Sequence, residues 1–346
     1  MRTRKHPTIL PKLPKEAAYS TPNGVMLLGD SGQLLRSPDL ATLRGKVQLI
    51  FTSPPFPLNR KKAYGNFKGG DYLMWLSKFG PVMRELLAPN GSIVIELGNS
   101  WEQGFPTMST LALKALLFFQ EQNYLHLCQE FICHNPARLP SPAEWVTIRR
   151  IRLKDSYTRL WWLSPTTDPK ADNRNVLQEY SPAMKKLIKR GTFNAGRRPS
   201  EFVISEEAFA IDHGGSISPN VLSIANTRSK DLYSDYCRDK GIEFHPARMP
   251  IELPEFFIKF LTSKGDIVLD PFGGSNTTGA AAEALGRKWI SIEADREYIY
   301  GSMGRFDQKR IQSYLPRYKR KTEPVAPQKK PKAKSKRRAK KKVSRR

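Results

Sequence analysis

Two segments of this chain carry residue types suited to chemistry. Thr52-Ser53-Pro54-Pro55-Phe56 directly follows the apolar run Val47-Gln48-Leu49-Ile50-Phe51. Paired prolines cannot continue a strand ladder, and they fix φ, so the turn is rigid. Such a turn presents the Ser53 hydroxyl and nearby carbonyls, that of Pro54 included, as a fixed set of acceptors. That set suits an exocyclic amino group, which has two N–H bonds to satisfy and a lone pair to free from conjugation. Acceptors on those hydrogens orient the nitrogen and take up positive charge as it develops. Phe56 adds a face on which a planar base can stack.

The second segment is Asp270-Pro271-Phe272-Gly273-Gly274-Ser275-Asn276-Thr277-Thr278-Gly279, directly after Ile267-Val268-Leu269. Gly273 and Gly274 let the backbone bend tightly and approach a ligand. The helix that opens there offers free N–H groups. Glu293 ends the next apolar run, 20 residues after Gly273. A carboxylate at that distance can accept from both ribose hydroxyls of a nucleoside cofactor. The segment lacks GxGxxG and GKS/GKT, which disfavours a nicotinamide dehydrogenase or a P-loop enzyme.

These segments need strands to carry them. Val25 to Asp30, Val47 to Phe51, Ser92 to Leu97, Glu130 to His134, Arg159 to Leu163, Ile267 to Leu269 and Trp289 to Ile292 read as strands. Apolar residues at a 3.6-residue period predict a helix over Asp71 to Leu87, ended by Pro89-Asn90-Gly91. Further helices are predicted at Thr107 to Gln122, Glu252 to Thr262 and Thr277 to Leu285, with a long one from Asp295. Between Ser164 and Cys237 only Met184 to Lys189 reads as helical, and a loop-rich stretch of that length is usually functional. Trp161, Trp162 and the Met and Phe residues of the helices read as core. Strands alternating with helices argue for an α/β fold, a mostly parallel sheet with helices on both faces.

The 346 residues carry a net charge of +26. Residues 317–346 hold 16 Lys/Arg against one acid, Glu323, and the rest of the chain is basic without them. That balance favours a polyanionic partner, most simply nucleic acid. Cys128, Cys133 and Cys237 are an odd set without CxxC spacing, so no disulfide framework is expected and a reducing compartment is. Cys133-His134 has no second ligand pair at finger spacing, so no metal is expected. No signal peptide or membrane span is read from the sequence.

The two segments together resemble the S-adenosylmethionine-dependent DNA amino-methyltransferases, in the permuted order where the catalytic motif precedes the cofactor motif. Adenine-N6 members usually carry Asp or Asn before Pro-Pro, whereas Ser-Pro-Pro-Phe is typical of cytosine-N4 members. Arg60-Lys61-Lys62, Tyr64-Gly65-Asn66, Leu139 to Trp145, Trp161-Trp162, Gly214 to Ile217, Pro219-Asn220, His245 to Arg248 and Leu253 to Ile258 extend the likeness to cytosine-N4 enzymes of the PvuII type. It covers roughly residues 25–310.

The resemblance implies a Rossmann-like methyltransferase fold in which S-adenosylmethionine is the cofactor and double-stranded DNA the substrate. It implies direct methyl transfer to N4 of a cytosine flipped from the duplex, at CAGCTG or a related palindrome. Ser53, Pro54, Pro55 and Phe56 would be catalytic. Asp30, Asp270, Phe272, Gly273, Gly274, Ser275 and Glu293 would hold the cofactor, with Asp30 near its adenosine and His245 to Pro250 beside its methionine end.

The chain then divides into an irregular arm (1–22), a catalytic half (23–135), a target-recognition region (136–240, with core strands near 159–163), a cofactor half (241–316) and a disordered basic tail (317–346). Arg138, Arg149, Arg150, Arg152, Lys154, Lys185, Lys186, Lys189, Arg197 and Arg198 are candidate DNA contacts. A separately acting restriction endonuclease is the second partner such enzymes have, although the tail argues for a solitary, chromosome-associated enzyme. The implied location is the bacterial cytoplasm, at the nucleoid, or the nucleus of a eukaryotic host. Cytosine-C5 methylation needs a Pro-Cys nucleophile, which is missing. Adenine-N6 methylation and a catalytically silent nucleoid-binding protein remain as alternatives.

Overall fold

The computed structural model describes residues 9–56, 69–191, 196–201, 203–204, 211–227 and 230–319. The start of the N-terminal arm, the Arg60-Lys61-Lys62 and Tyr64-Gly65-Asn66 stretches and nearly all of the basic tail lie outside them.

The strands, in chain order, are β1 (Ala17–Ser20), β2 (Gly24–Leu28), β3 (Val47–Thr52), β4 (Leu87–Gly98), β5 (His126–His134), β6 (Tyr157–Ser164), β7 (Gly196–Arg197), β8 (Val203–Ile204), β9 (Val221–Ser223), β10 (Ile267–Asp270), β11 (Lys288–Glu293) and β12 (Gln312–Ser313). All but β7 and β8 form one sheet, ordered β12-β1-β2-β11-β10-β3-β4-β6-β5-β9. The central strands β2, β11, β10, β3 and β4 run parallel, and β6 lies antiparallel to both β4 and β5. From β3 the chain moves outward to β4; from β10 it moves the opposite way, to β11. Strand order therefore reverses between β3 and β10. The crevice at the carboxyl ends of such a pair is where open α/β sheets bind ligands. Both chemistry-bearing segments leave the sheet there.

Each sheet face buries its own core. Val25, Leu27, Ile50, Ile93 and Ile95 pack with Tyr72, Leu76, Met83, Leu116 and Phe119 on one side. Met26, Leu49, Phe51, Val94 and Val268 pack with Phe257, Leu261, Ala281, Trp289 and Ile299 on the other. Each fully buried large side chain contributes about 1.5–3 kcal/mol. Against β10, Gln48 is the extra residue of a bulge in β3; against β4, the extra residues lie on β4, between Leu87 and Ser92. The Gln48 amide donates to the Asn90 carbonyl at 3.1 Å. Trp161 and Trp162 are buried, and their indole N–H groups donate to Glu130 and Ser92.

Several elements differ from expectation. The helix expected over Asp71 to Leu87 is two, Gly69–Ser77 and Gly80–Leu86. Pro81 lies in the first turn of the second, where its missing N–H costs nothing. Pro89-Asn90-Gly91 lies within β4, where the pairing with β3 jumps from Leu87 to Ser92 and a proline is tolerated. Met74 is 53% exposed, not core. Inside the region read as irregular, Leu232–Lys240 is a helix. The expected long helix from Asp295 is only Arg296–Ser302, followed by a 3₁₀ turn at Met303–Arg305. At Gly301 and Gly304 the chain presses on the 232–240 helix: a Cβ on Gly304 would lie 2.6 Å from that of Tyr236.

Tyr19, fully buried in β1, bridges this packing to the glycine-rich loop. Its hydroxyl accepts from Asn276 Nδ2 at 2.8 Å and pairs with Ser302 Oγ at 2.8 Å. Tyr19→Phe leaves a buried amide donor without its partner, so unfolding stability should fall by about 1–3 kcal/mol. Urea titration of the two proteins measures this, and an unchanged midpoint would refute the bridge.

Candidate active site

Asp270 closes β10 and is buried. Its Oδ1 accepts from the Thr52 hydroxyl at 2.9 Å and the Phe272 N–H at 3.0 Å; its Oδ2 accepts from the Thr278 hydroxyl at 2.7 Å. One carboxyl group thus ties the end of β3, the end of β10 and the start of the helix Thr277–Ala284. Burial outweighs these donors and pushes its pKa up to about 6. Asn276 caps that helix from the left-handed region, φ 56°. Its Oδ1 accepts from the Gly279 N–H at 3.1 Å and the Ser291 hydroxyl at 2.7 Å.

The cofactor half is built on that frame. Glu293 ends β11, accepting from the Gly274 N–H at 2.7 Å and the Asp295 N–H at 2.8 Å. Burial raises its pKa from the usual carboxylate range. Gly274 has φ +50°, and a Cβ there would lie 3.0 Å from His245 Nε2. His245 stands edge-on to Tyr298, ring centroids 4.4 Å apart, and burial lowers its pKa to about 4, so it is neutral at pH 7. Ser275 is held at its carbonyl by Arg305 Nε and at its hydroxyl by Arg305 Nη2, 2.9 Å away. Phe272 packs on Phe79 and Trp75. Asp30 accepts from the Gln33 N–H at 2.9 Å, which leaves its exposed carboxylate at the cleft rim.

The catalytic half gathers around a residue that sequence reasoning missed. Glu96, near the end of β4, is buried and lines the cleft beside Ser53, whose side chain lies close enough to favour its charged form. The Thr158 hydroxyl donates to its Oε1 at 2.8 Å, and the Arg138 charge acts on it. Burial nevertheless raises its pKa. Cys133 lies close enough for Glu96 to act on it; burial first, and that charge second, push its thiol up to about 12. The Phe56 ring lies over Gly98, where a Cβ would come within 2.5 Å of it. An acid inside the otherwise apolar run Ser92 to Leu97, directly before Gly98, was the signal for Glu96. Thr158, Asn99 and Arg305 carried none, because they reach the site only through β6, the β4 end and the 3₁₀ turn.

All eleven expected site residues line one cleft of about 780 Å³, together with Glu96, Asn99, Cys133, Arg138 and Thr158. That volume suits a nucleoside-sized ligand with a base beside it. The two segments, which begin 218 positions apart in sequence, form its two walls.

A family model described as "DNA methylase" matches residues 47–303. The chain belongs to that family. Among curated relatives, the type II methyltransferase M.PvuII of Proteus hauseri is 44% identical, over 84% of this chain and 86% of its own. M.BamHI of Bacillus amyloliquefaciens is 28% identical over 80% of this chain and 55% of its own. The solved structure of the cytosine-N4-specific PvuII DNA methyltransferase superposes with a TM-score of 0.68 at 38% identity, covering 86% of this chain and 91% of that one.

The cofactor of this DNA methylase is S-adenosylmethionine, and the residues present fit it. Gly274 leaves a cradle that a side chain would fill, and Glu293 is a carboxylate with lone pairs to spare for hydroxyl donors.

Asp270 supplies a test of the frame. Its folded pKa of about 6 exceeds the ordinary 3.8, so its contribution to stability is fully present below pH 3.8 and is lost as pH rises through 6. Asp270→Asn keeps acceptors and a donor for the same partners but does not ionise. Between pH 4 and 7 wild type should lose up to about 3 kcal/mol relative to this variant. Parallel stability curves in urea unfolding would show that the burial of this carboxyl is not the dominant influence.

Proposed function

We propose that this methylase transfers a methyl group from S-adenosylmethionine to N4 of cytosine in double-stranded DNA, on a base turned out of the helix, at CAGCTG or a related palindrome. The observation that carries the reading is buried Glu96 beside the Ser53 side chain, in the same cleft as Gly274 and Glu293. The resemblance to a cytosine-N4-specific enzyme over most of both chains supports the choice of atom.

When bound, S-adenosylmethionine supplies an electrophilic methyl group. The protein's part is to present a nitrogen to it. Glu96 accepts the Ser53 O–H, which leaves the Ser53 oxygen lone pairs to accept an N–H of the amino group. The Pro54 carbonyl takes the other. Held this way the nitrogen lone pair turns out of the ring plane towards the methyl group. As the N–C bond forms and the methyl–sulfur bond breaks, its electron pair leaving on the sulfur, the nitrogen gains positive charge, and Ser53 with the Glu96 carboxylate stabilises it. The surplus amine proton passes through Ser53 to Glu96, whose raised pKa suits it as acceptor. Phe56, held over Gly98, supports the base face. Asp30 and Glu293 would hold the nucleoside hydroxyls, the Gly273-Gly274 backbone with Ser275 would cradle the cofactor, and His245 to Pro250 would lie beside its methionine end. Phe272 keeps that loop against the aromatic cluster of Trp75 and Phe79. Cys133, although in the cleft, stays a thiol at neutral pH, which removes the nucleophile that C5 attack would need.

Exposed cations follow the cleft into the 136–240 region: Arg149, Arg150, Arg152, Lys154, Lys185, Lys186, Lys189, Arg197 and Arg198. They suit phosphate contacts, whose loss weakens binding and its salt dependence together.

Nucleoside mass spectrometry of treated duplex should show N4-methylcytosine; N6-methyladenine would overturn the base assignment. Ser53→Ala should lower kcat by about 10²-fold with little change in DNA affinity. Equal losses in both would place Ser53 in binding instead. For Glu96→Gln, the rise of kcat with pH through the Glu96 ionisation should vanish and kcat should drop by about 10²–10⁴-fold. A pH profile that keeps its wild-type shape would remove Glu96 from the proton path.

A further inference from the structure

Residues 136–155 leave the sheet at the end of β5 and return at the start of β6. Both ends are pinned. The Asn135 N–H donates to the Ser156 carbonyl at 2.7 Å, and Asn99 Nδ2 donates to Asp155 Oδ1 at 2.9 Å. Asn99, Asn135 and Arg138 line the cleft, so this excursion rises directly from its rim. Lys154 Nζ donates to the carbonyls of Pro136 at 3.1 Å and Arg138 at 3.4 Å, tying the outgoing limb to the returning one. Further out, Arg152 Nε donates to the Pro106 carbonyl at 2.9 Å.

Leu139 and Leu153 are each the direct neighbour of a residue in the Lys154–Arg138 tie. They are also the two most exposed large hydrophobic side chains among the described residues, at 80% and 90%. Exposed Arg149, Arg150 and Arg152 lie on the same excursion. Two exposed aliphatic side chains on a tethered loop that also carries exposed cations match a partner that is anionic outside and apolar inside. A DNA duplex is such a partner: phosphates attract the arginines, and the base stack accepts an apolar wedge. A base drawn into the cleft leaves a gap beside its orphaned partner, and filling that gap offsets the unstacking.

We propose that Leu139 and Leu153 form a wedge that enters the duplex at the target pair and holds the space the cytosine vacates. This rests on the reading that the base is turned out into the cleft.

The test compares wild type with Leu139→Ala/Leu153→Ala on two duplexes. One has the target cytosine in a normal pair; in the other it faces an abasic site, so that less opening is needed. Both leucines are exposed, so the variant should unfold at the wild-type temperature. On the paired duplex its kcat/KM should fall about tenfold or more, as expected when part of the unstacking cost is no longer offset. On the abasic duplex the variant should come within about twofold of wild type. Equal losses on both substrates would overturn the wedge. So would a variant with full activity, whether or not it altered self-association of the free protein. A fluorescent cytosine analogue at the target position separates this from the underlying reading. If wild type methylates duplex with no rise in analogue emission, base turning itself fails. If emission rises equally in wild type and variant, only the wedge fails.

Discussion

Asp270 sits where three segments meet, and its carboxyl group accepts from Thr52 at the end of β3, Phe272 in the loop and Thr278 on the following helix. The ladder between β3 and β10 is paired as far as Ile50 and Leu269, and this junction ties the Ser-Pro-Pro turn and the Gly-Gly loop beyond it. With it, their separation is set by hydrogen bonds inside a buried site, where no water competes for the donors. Positioning at this level matters because direct methyl transfer relies on alignment of two reactants, and misplacement by about 1 Å can cost about 10²-fold in rate.

Three carboxyl groups, buried Asp270 and Glu96 and half-buried Glu293, line the cleft, and burial raises the pKa of each. Burial of an acid costs free energy unless hydrogen bonds compensate. Each of the three has its compensation from a different source: hydroxyls and a backbone N–H for Asp270, hydroxyls for Glu96, backbone N–H groups alone for Glu293. The differences match the roles we propose for them. Asp270 is enclosed and holds the frame. Glu96 reaches the cleft through a hydroxyl that can relay a proton. Glu293 is oriented by main chain, so its remaining lone pairs face a ligand.

The cleft joins this dry, acidic floor to a basic rim. Arg138 belongs to both, since it lines the cleft, acts on Glu96 and anchors the limb that carries Leu139. The excursion that begins there is pinned to the sheet through Asn99, which also accepts from Arg159 at 2.6 Å. Substrate grip and catalytic floor therefore share one strand end, the Gly98 terminus of β4, where the Phe56 ring also rests.

The α/β class, both motifs and eleven of the residues that line the cleft were legible in the chain read without coordinates, because each sits within a few positions of a strand whose composition declares it. Rigid prolines, paired glycines and a run-ending acid act locally, so their spacing alone points to their work. What stayed hidden depends on neighbours distant in sequence. Glu96 reads as one polar residue in a strand until β3 brings Ser53 beside it. Pro89 reads as a helix stop until the bulged pairing with β3 absorbs it into β4. The helix Leu232–Lys240 has a weak apolar pattern and is held by Gly301 and Gly304 pressing on it, a contact across some 60 residues. Local steric and hydrogen-bonding preferences are written residue by residue; which buried group meets which, and hence which acid can serve the serine, is decided only when the sheet brings its strands together.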